Sequence, residues 1–204
     1  GAVLNGRPSA DTMKPGLPIT IELIILGILS AVAIGIPLGV ISAVKRGSAS
    51  DYLARVGGLI GISIPGFWLA TLLLIFFSRV FHWVPPLSYV SIFKDPVKNL
   101  QEFFMPAISI SVFTLAIVMR MVRATMLEVL SLDYVRTALA KRVPRRPVFR
   151  NLALRTALIH VITVVVSEVG VLIRCAAVVE IIYVLPGRWS TLLKPFSTHS
   201  YPVI

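Results

Sequence analysis

Long apolar runs bounded by charged residues are the dominant pattern of this chain. A helix needs about 20 mostly apolar residues to cross the hydrocarbon core of a bilayer. Four stretches meet or approach that length, and they cover residues 19–44, 56–81, 103–123 and 156–173. The pattern therefore predicts an all-α fold, that of a polytopic helical membrane protein.

Small residues recur at every fourth position of the first predicted span. They are Gly27, Ala31, Gly35 and Gly39. This spacing places them on one face of a helix, where a second helix can approach closely in lipid. We therefore expect a helix to pack against this face, although small residues are also simply common in spanning helices.

Pro65, followed by Gly66, interrupts the second predicted span. Proline lacks a backbone N–H and bends a helix, which a membrane protein tolerates where neighbouring groups or a lined cavity satisfy the released carbonyl. The bend is a candidate for the wall of a pathway, with Ser63 and Thr71 as its polar side chains. A bend that only improves helix packing explains the proline equally well.

Glu168 is the acidic residue of the fourth predicted span. A carboxylate inside a bilayer is costly and is by default a functional hypothesis. We therefore expect Glu168 to be a pathway-lining candidate. A protonated side chain and a position near the outer interface are the alternatives.

Composition favours a membrane over an aqueous setting. Apolar residues make up 56% of the 204 residues and charged residues 14%, whereas soluble domains contain roughly 45–50% and about 25%. Lysine and arginine number 20 against 9 aspartate and glutamate residues, which gives a formal charge of +11. That charge alone would suit nucleic acid, but basic residues also collect on the cytoplasmic side of membrane proteins.

Basic residues are concentrated in the connections 45–55 and 120–155, and the second of these contains nine of them against two acids. The positive-inside rule therefore places both connections in the cytoplasm. The connection 82–102 then lies outside, as do both chain ends, including an extracytoplasmic N-terminal segment of residues 1–18.

Side chains suited to the membrane interface lie near the ends of the predicted spans. Arg120 and Arg123 have long basic side chains that can extend from a helix end to the interface. Trp83 and Tyr89 suit an aromatic belt at the outer interface. We therefore expect the third helix to continue past Arg120 and Arg123 into the cytoplasm, and Trp83 and Tyr89 to lie in the outer belt.

No motif for nucleotide binding or hydrolytic chemistry occurs in the sequence. The phosphate-binding loop Gly-x-x-x-x-Gly-Lys-Ser/Thr is absent, so the energy for any transport must come from a partner. His-Glu-x-x-His and Gly-x-Ser-x-Gly are absent as well. One cysteine, Cys175, and three widely separated histidines give no metal-site spacing. We therefore expect no enzyme activity, no cofactor and no metal site.

A polar segment, residues 124–142, separates the third and fourth predicted spans. Four side chains at helical spacing predict an amphipathic cytoplasmic helix within it. They are Leu127, Leu130, Tyr134 and Ala138. Asp133 can cap a helical turn, and Pro144 should end the helix. Such a helix suits docking on a soluble partner, but a solvated basic loop attracted to anionic lipid headgroups fits the spacing equally well.

The sequence Asp-Tyr-Val-Arg-Thr-Ala-Leu-Ala-Lys at residues 133–141 resembles the permease signature, often called the EAA loop, of binding-protein-dependent ABC importers. In particular it resembles the dipeptide/oligopeptide and nickel permease subfamily. Further segments match in the expected order, and they are residues 19–23, 35–40, 63–69, 123–129, 177–180, 185–187 and 201–203. The resemblance covers nearly the whole chain.

Membership of that family would imply a type I ABC importer permease fold in the cytoplasmic membrane of a bacterium or archaeon. The permease would pair with a second, similar permease, receive solute from an external solute-binding protein and be powered by two cytoplasmic ATPase subunits. Its solutes would be dipeptides or oligopeptides, with nickel as the alternative. The transmembrane domain would cover residues 19–204 and include a cytoplasmic coupling region of about residues 124–151. The residues that the resemblance assigns to the ATPase contact are Asp133, Tyr134, Thr137, Ala138, Lys141, Arg142, Arg145 and Arg146.

Family members usually have six spans with both ends in the cytoplasm. The four predicted spans and a start without methionine lead us to expect a fragment that lacks the first and last helices. Four positions depart from the family pattern, namely Arg142 in place of glycine, His160 in place of proline, and Arg174 and Arg188 in place of small or apolar residues. A degenerate or truncated permease without activity is therefore an alternative. A passive channel or proton-linked carrier that uses Glu168 is another.

Overall fold

The structure is a computed structural model that describes residues 17–86, 89–133, 135 and 154–185. Within these ranges the chain forms helices and turns, with no strand. The helices are α1 (Leu17–Val44), α2 (Ala49–Ser63), α3 (Gly66–Val80), α4 (Pro96–Ser131) and α5 (Leu154–Ile182). Three of them, α1, α4 and α5, are each long and apolar enough to cross a membrane, and α2 with α3 adds a fourth span if the pair counts as one. The all-α fold expected from the apolar pattern is confirmed.

A tight connection joins α1 to α2. Gly47 has a φ of +81°, a conformation that residues with a side chain rarely adopt. Ser48 then caps α2, because its hydroxyl oxygen accepts a hydrogen bond of 3.3 Å from the backbone N–H of Asp51. The cap places the start of α2 at Ala49, well before residue 56, where the predicted span begins.

The second predicted span is broken rather than bent. Helix α2 ends at Ser63 and α3 begins at Gly66, because Ile64 (φ −85°, ψ 121°) and Pro65 (φ −62°, ψ 136°) are both extended. A proline ring disfavours helical geometry at the residue before it and removes a backbone donor. Pro65 therefore ends one helix and starts the next.

Helix α4 is longer than the third predicted span. It begins at Pro96, runs through Pro106 and ends at Ser131. Residues 124–131, where the sequence predicts the start of an amphipathic cytoplasmic helix, are helical and continue α4. Within that continuation Val129 is buried. The start of the predicted coupling segment is thus part of one continuous helix.

The chain divides into two compact units. Among the described residues, the first unit contains 17–27, 65–111 and 170–185, and the second contains 28–64 and the described parts of 112–169. In the second unit, apolar side chains of α1, α4 and α5 form the core. Its buried members are Ala43, Val118, Val122, Met126, Val129, Val135, Ala157 and Val161. This core surrounds the end of α1 and the last turns of α4.

Close packing along α1 confirms the role expected for its small residues. In the first unit, a Cβ atom added at Gly27 would lie 2.7 Å from the side chain of Ile110. In the second, a Cβ atom at Gly39 would lie 2.7 Å from the carbonyl oxygen of Met119 and 2.7 Å from the Cβ atom of Val122. Only a residue without a side chain permits so close an approach of α4.

Candidate coupling and pathway sites

A buried carboxylate organises one end of the second unit. Asp51, in the first turn of α2, is 1% exposed. It accepts hydrogen bonds from the Ser42 hydroxyl at 2.6 Å and the Gly47 N–H at 3.0 Å. It accepts two more from Arg123, at 2.8 Å from Nε and 3.1 Å from Nη2, and Arg55 Nε lies 3.6 Å away. These five residues, the Asp51 network, join the end of α1, the start of α2 and α4.

Arg123 is the cationic partner that allows Asp51 to be buried as an anion. A buried carboxylate is stable only when it is paired and hydrogen-bonded. The guanidinium of Arg123 turns to Asp51, so its position at the membrane interface stays a prediction. Arg120, one turn earlier on α4, is exposed.

Most residues that the resemblance assigns to the ATPase contact lie outside the described residues. They are Tyr134, Thr137, Ala138, Lys141, Arg142, Arg145 and Arg146. Asp133 is described and exposed, just beyond the end of α4. Val135 is buried in the core of the second unit. The helix that Arg123 anchors therefore leads directly to Asp133.

Three of the predicted pathway residues, Ser63, Pro65 and Thr71, are exposed. Both hydroxyl groups donate to carbonyls one turn earlier in their own helix, Ser63 to Leu59 at 2.8 Å and Thr71 to Phe67 at 3.0 Å. Such bonds satisfy a hydroxyl within a helix without a tertiary partner. Their exposure is compatible with a pathway, with lipid and with a second subunit.

Glu168 is half-buried on α5, in the second unit. Its Oε2 atom is buried and has no hydrogen-bond partner among the described residues. The exposed hydroxyl groups of Thr163 and Ser167, by contrast, donate to carbonyls of α5 itself. A buried oxygen that lacks a donor is costly. Among the four predicted pathway residues, Glu168 is thus the one with a buried polar atom that has no hydrogen-bond partner among the described residues.

A second buried carboxylate lies in the first unit. Glu180, near the end of α5, is 0% exposed and accepts a hydrogen bond of 2.5 Å from the Thr20 hydroxyl. The two residues are 160 positions apart, and each lies in a segment that carries the family resemblance. The bond joins the start of α1 to the end of α5.

Glu22, the acid near the start of α1, is held by two donors. Asn99 Nδ2 donates to its Oε1 at 2.7 Å, and the Tyr89 hydroxyl donates to its Oε2 at 3.1 Å. Asn99 Nδ2 also donates to the carbonyl of Val90 at 3.0 Å. The N–H of Val90 donates to Glu102 at 3.3 Å. These bonds fix the backbone of the connection between α3 and α4.

Tyr89 is half-buried, and its place in an aromatic belt at the outer interface stays a prediction. Burial, reinforced by the negative charge of Glu22, raises the pKa of the Tyr89 hydroxyl above its usual 10.0. The hydroxyl therefore keeps its proton and donates to Glu22 at neutral pH. Trp83 is also half-buried and packs edge-on against Phe77, with the ring centroids 6.1 Å apart.

Sequence reasoning missed Asp51 and Glu180 as structural carboxylates. A partial signal for Asp51 was present, since Ser48-x-x-Asp51 has the spacing of a helix-capping pair. Its pairing with Arg123 had no signal, because 72 positions separate the two residues. Glu180 was noted in the sequence only because it lies in residues 177–180, a segment that matches the permease family.

Helices α1, α4 and α5 are apolar and long enough to span a membrane, which defines a multi-pass helical membrane protein. Buried carboxylates join helices of this protein by accepting hydrogen bonds from residues of other helices. The chain belongs to the family described as the inner membrane component of binding-protein-dependent transport systems, whose profile matches residues 35–204. The family expected from the permease signature is thereby confirmed. Members are membrane-embedded transport components, so the chain is placed in the cytoplasmic membrane.

The names of similar proteins agree with this family assignment. A protein of Brucella suis biovar 1 (strain 1330), named as a peptide transport system permease, is 35% identical over 201 residues, which cover 98% of this chain and 64% of the relative. The dipeptide transport system permease protein DppB of Escherichia coli (strain K12) is 34% identical over 220 residues, which cover 97% and 65%. The chain thus spans just under two thirds of the length of these curated relatives.

Proposed function

We propose that this chain is the permease subunit of an ATP-driven importer of dipeptides or oligopeptides. The observation that carries the proposal is the family match over residues 35–204, together with relatives named for peptide and dipeptide transport. The subunit forms part of the translocation pathway, and a separate ATPase hydrolyses ATP. Its partners are a second permease, two cytoplasmic ATPase subunits and an extracytoplasmic solute-binding protein.

Alternating access is the mechanism of this proposal. ATP binding closes the two ATPases, and their motion acts on the coupling segment that begins at Asp133. The attached spans then tilt, so that the pathway faces outward and afterwards inward. Such coupling requires an element with two states that is biased at both ends.

The Asp51 network supports this mechanism by its position. Helix α4 is continuous to Ser131, and Arg123 ties it to the connection between α1 and α2 through Asp51. A displacement at Asp133 would move α4 and, through the buried ion pair, the ends of α1 and α2. In this proposal the network is a mechanical connection and not a solute site.

The pathway of this proposal is lined by Ser63, Pro65, Thr71 and Glu168. The exposure of the first three supports it, as does the buried Oε2 atom of Glu168, which has no hydrogen-bond partner in the part of the chain that the structure describes. A carboxylate can form a charge-assisted hydrogen bond with the α-ammonium group of a peptide. Glu168→Gln should therefore slow ATP-dependent uptake of free peptides more than uptake of N-acetylated peptides. An equal effect on both would contradict this role.

Co-purification tests the proposed ATPase contact. The chain, expressed with its partner permease and ATPases and solubilised in detergent, should retain the ATPases. Charge reversal at Asp133 and Lys141 should weaken that association. The matched control reverses Asp95 and Lys98, a pair 3.6 Å apart at the start of α4, where Asp95 precedes the helix and Lys98 lies in its first turn. Full retention by the Asp133/Lys141 variant would contradict the assigned docking site.

Each alternative predicts a different transport result. A passive channel or proton-linked carrier would move solute into vesicles without ATPases, and Glu168→Gln would abolish that flux. A nickel permease would give ATP-dependent uptake of nickel and not of peptide. A degenerate permease would be inactive, and recovery of uptake in Arg142→Gly would identify the lost glycine as the cause.

A further inference from the structure

A cavity of about 510 Å³ opens between α2 and α4 in the second unit. Three arginines and three apolar side chains line it. They are Arg55, Arg120, Arg123, Ile117, Met121 and Ala124. A wall that combines guanidinium groups with apolar surface is unusual for a membrane helix, where basic residues are rare unless they are paired or reach the interface.

The positive charge of this cavity exceeds its negative charge. Arg123 makes two hydrogen bonds to Asp51, and Arg55 lies 3.6 Å from the same carboxylate with 51% of its side chain exposed. Arg120 is exposed and has no ion pair with any residue that the structure describes. Three guanidinium groups against one carboxylate leave two positive charges uncompensated.

The faces of the helices around the cavity are those of a membrane-exposed surface. On α2, Tyr52 and Leu59 lie one turn on either side of Arg55 and are 62% and 58% exposed. The Arg55 guanidinium lies 6.0 Å from the centre of the Tyr52 ring. Arg55 and Arg120 lie at or beside the connections that the charge distribution assigns to the cytoplasm. Basic cavities between spanning helices on this side bind the headgroups of anionic lipids.

We propose that this cavity binds an anionic phospholipid of the cytoplasmic leaflet. Arg55 and Arg120 bind the phosphate oxygens, because a guanidinium forms paired, charge-assisted hydrogen bonds with phosphate. An acyl chain of the same lipid packs along Ile117 and Met121. Asp51 holds Arg123 at the back of the cavity, which adds positive potential there.

The charge and the walls of the cavity together select the class of lipid. Two uncompensated positive charges match a headgroup with two phosphates, such as that of cardiolipin, and attract a zwitterionic headgroup weakly. A soluble phosphate would gain the same ionic contacts and nothing from the apolar wall. A lipid uses both, so the cavity favours the lipid over the soluble anion.

Native mass spectrometry of the purified full chain in detergent tests the proposal. The spectrum should show adducts with cardiolipin at concentrations at least about tenfold lower than with phosphatidylcholine, since each basic residue near the surface adds to binding of anionic lipid. Arg55→Gln with Arg120→Gln should remove this preference. The matched control is Arg79→Gln, an exposed arginine in the last turn of α3, which should keep it.

A double lysine variant separates lost charge from lost folding. Arg55→Lys with Arg120→Lys retains both positive charges but not the paired guanidinium hydrogen bonds, so it should keep a weakened cardiolipin preference. Circular dichroism should show native helix content in both double variants. Equal cardiolipin adducts in the native chain and the glutamine variant would overturn the proposal. Loss of the preference in folded Arg79→Gln would also overturn it, because Arg79 does not line the cavity. Displacement of cardiolipin by millimolar pyrophosphate would reassign the cavity to a soluble phosphate.

Discussion

Asp51 and Arg123 are 72 positions apart in the chain and share two hydrogen bonds, of 2.8 and 3.1 Å. The carboxylate is 1% exposed and the arginine side chain 22%. Two further donors, Ser42 and Gly47, complete the bonding of the carboxylate. The pair connects α4 to the turn between α1 and α2, and α4 leads to the predicted coupling segment.

Removal of the cation in this pair should destabilise the protein strongly. Arg123→Gln leaves the buried carboxylate of Asp51 without its main partner, and breaking a buried pair in this way costs about 3–5 kcal/mol. Unfolding in detergent, followed by circular dichroism, measures the loss. Arg55→Gln is the matched control, because that side chain is 51% exposed and such pairs contribute about 0–1 kcal/mol. Equal losses in the two variants would show that Arg123 has no special role.

Gly39 should tolerate no larger residue. A methyl group there would lie 2.7 Å from the Met119 carbonyl oxygen, so Gly39→Ala must push α1 and α4 apart at a cost of about 1–3 kcal/mol. The same unfolding assay measures it. Gly57→Ala is the control, because nothing lies within 4 Å of its added methyl group, and it should be neutral or stabilising by up to about 1 kcal/mol. A destabilised Gly57→Ala variant would mean that helix flexibility, and not contact, governs both sites.

Loss of the Thr20 hydroxyl should weaken the first unit. Thr20→Val keeps the shape of the side chain but removes the hydrogen bond to buried Glu180, which costs about 1–3 kcal/mol. Thr20→Ser retains a hydroxyl and should recover most of the stability. The midpoint of thermal unfolding distinguishes the three proteins. If Thr20→Val unfolds at the native midpoint, the bond contributes nothing to stability.

Tyr89 should make the protein sensitive to alkaline pH. Its pKa is raised above 10.0 in the folded protein, so above pH 10.0 the unfolded chain loses this proton first and folding becomes less favourable. The contribution of protonated Tyr89 to folding stability is present below pH 10.0, and it is lost as the pH rises through the pKa of Tyr89 in the folded protein. Unfolding midpoints measured from pH 8 to 11 should fall less steeply in Tyr89→Phe. Parallel curves for the two proteins would contradict the prediction.

Much of the fold could be predicted from the sequence, because it depends on local patterns. Apolar runs indicated the spanning helices, and the spacing of Gly27 and Gly39 indicated the face of α1 on which another helix packs. Pro65 was recognised as an interruption, although its effect is a complete break. The end of α4 was harder to predict than its existence. Residues 124–131 would be helical either as a separate cytoplasmic helix or as a continuation of the third span, and the structure, in which Val129 is buried, shows the continuation.

The candidate site was less predictable. The resemblance identified the family. The coupling residues that begin at Asp133 stay a prediction, as does the pathway role of Glu168, which was proposed because an acid inside an apolar run is conspicuous. The partners of Asp51 and Glu180 were not predictable. A carboxylate near a helix end has the same local sequence whether it faces water or is buried.

The sequence by itself determined that this protein lies in a membrane, which stretches are apolar enough to cross it, and to which family it belongs, because hydropathy and motif order are properties of the linear chain. Only the tertiary structure decided which charges are buried and which remain available. Arg123 and Arg120 lie within one turn of the same helix and line the same cavity. Arg123 is held by a carboxylate 72 positions away, whereas Arg120 is exposed and has no ion pair with any residue that the structure describes. Side-chain partners of that kind exist only after distant helices have packed together.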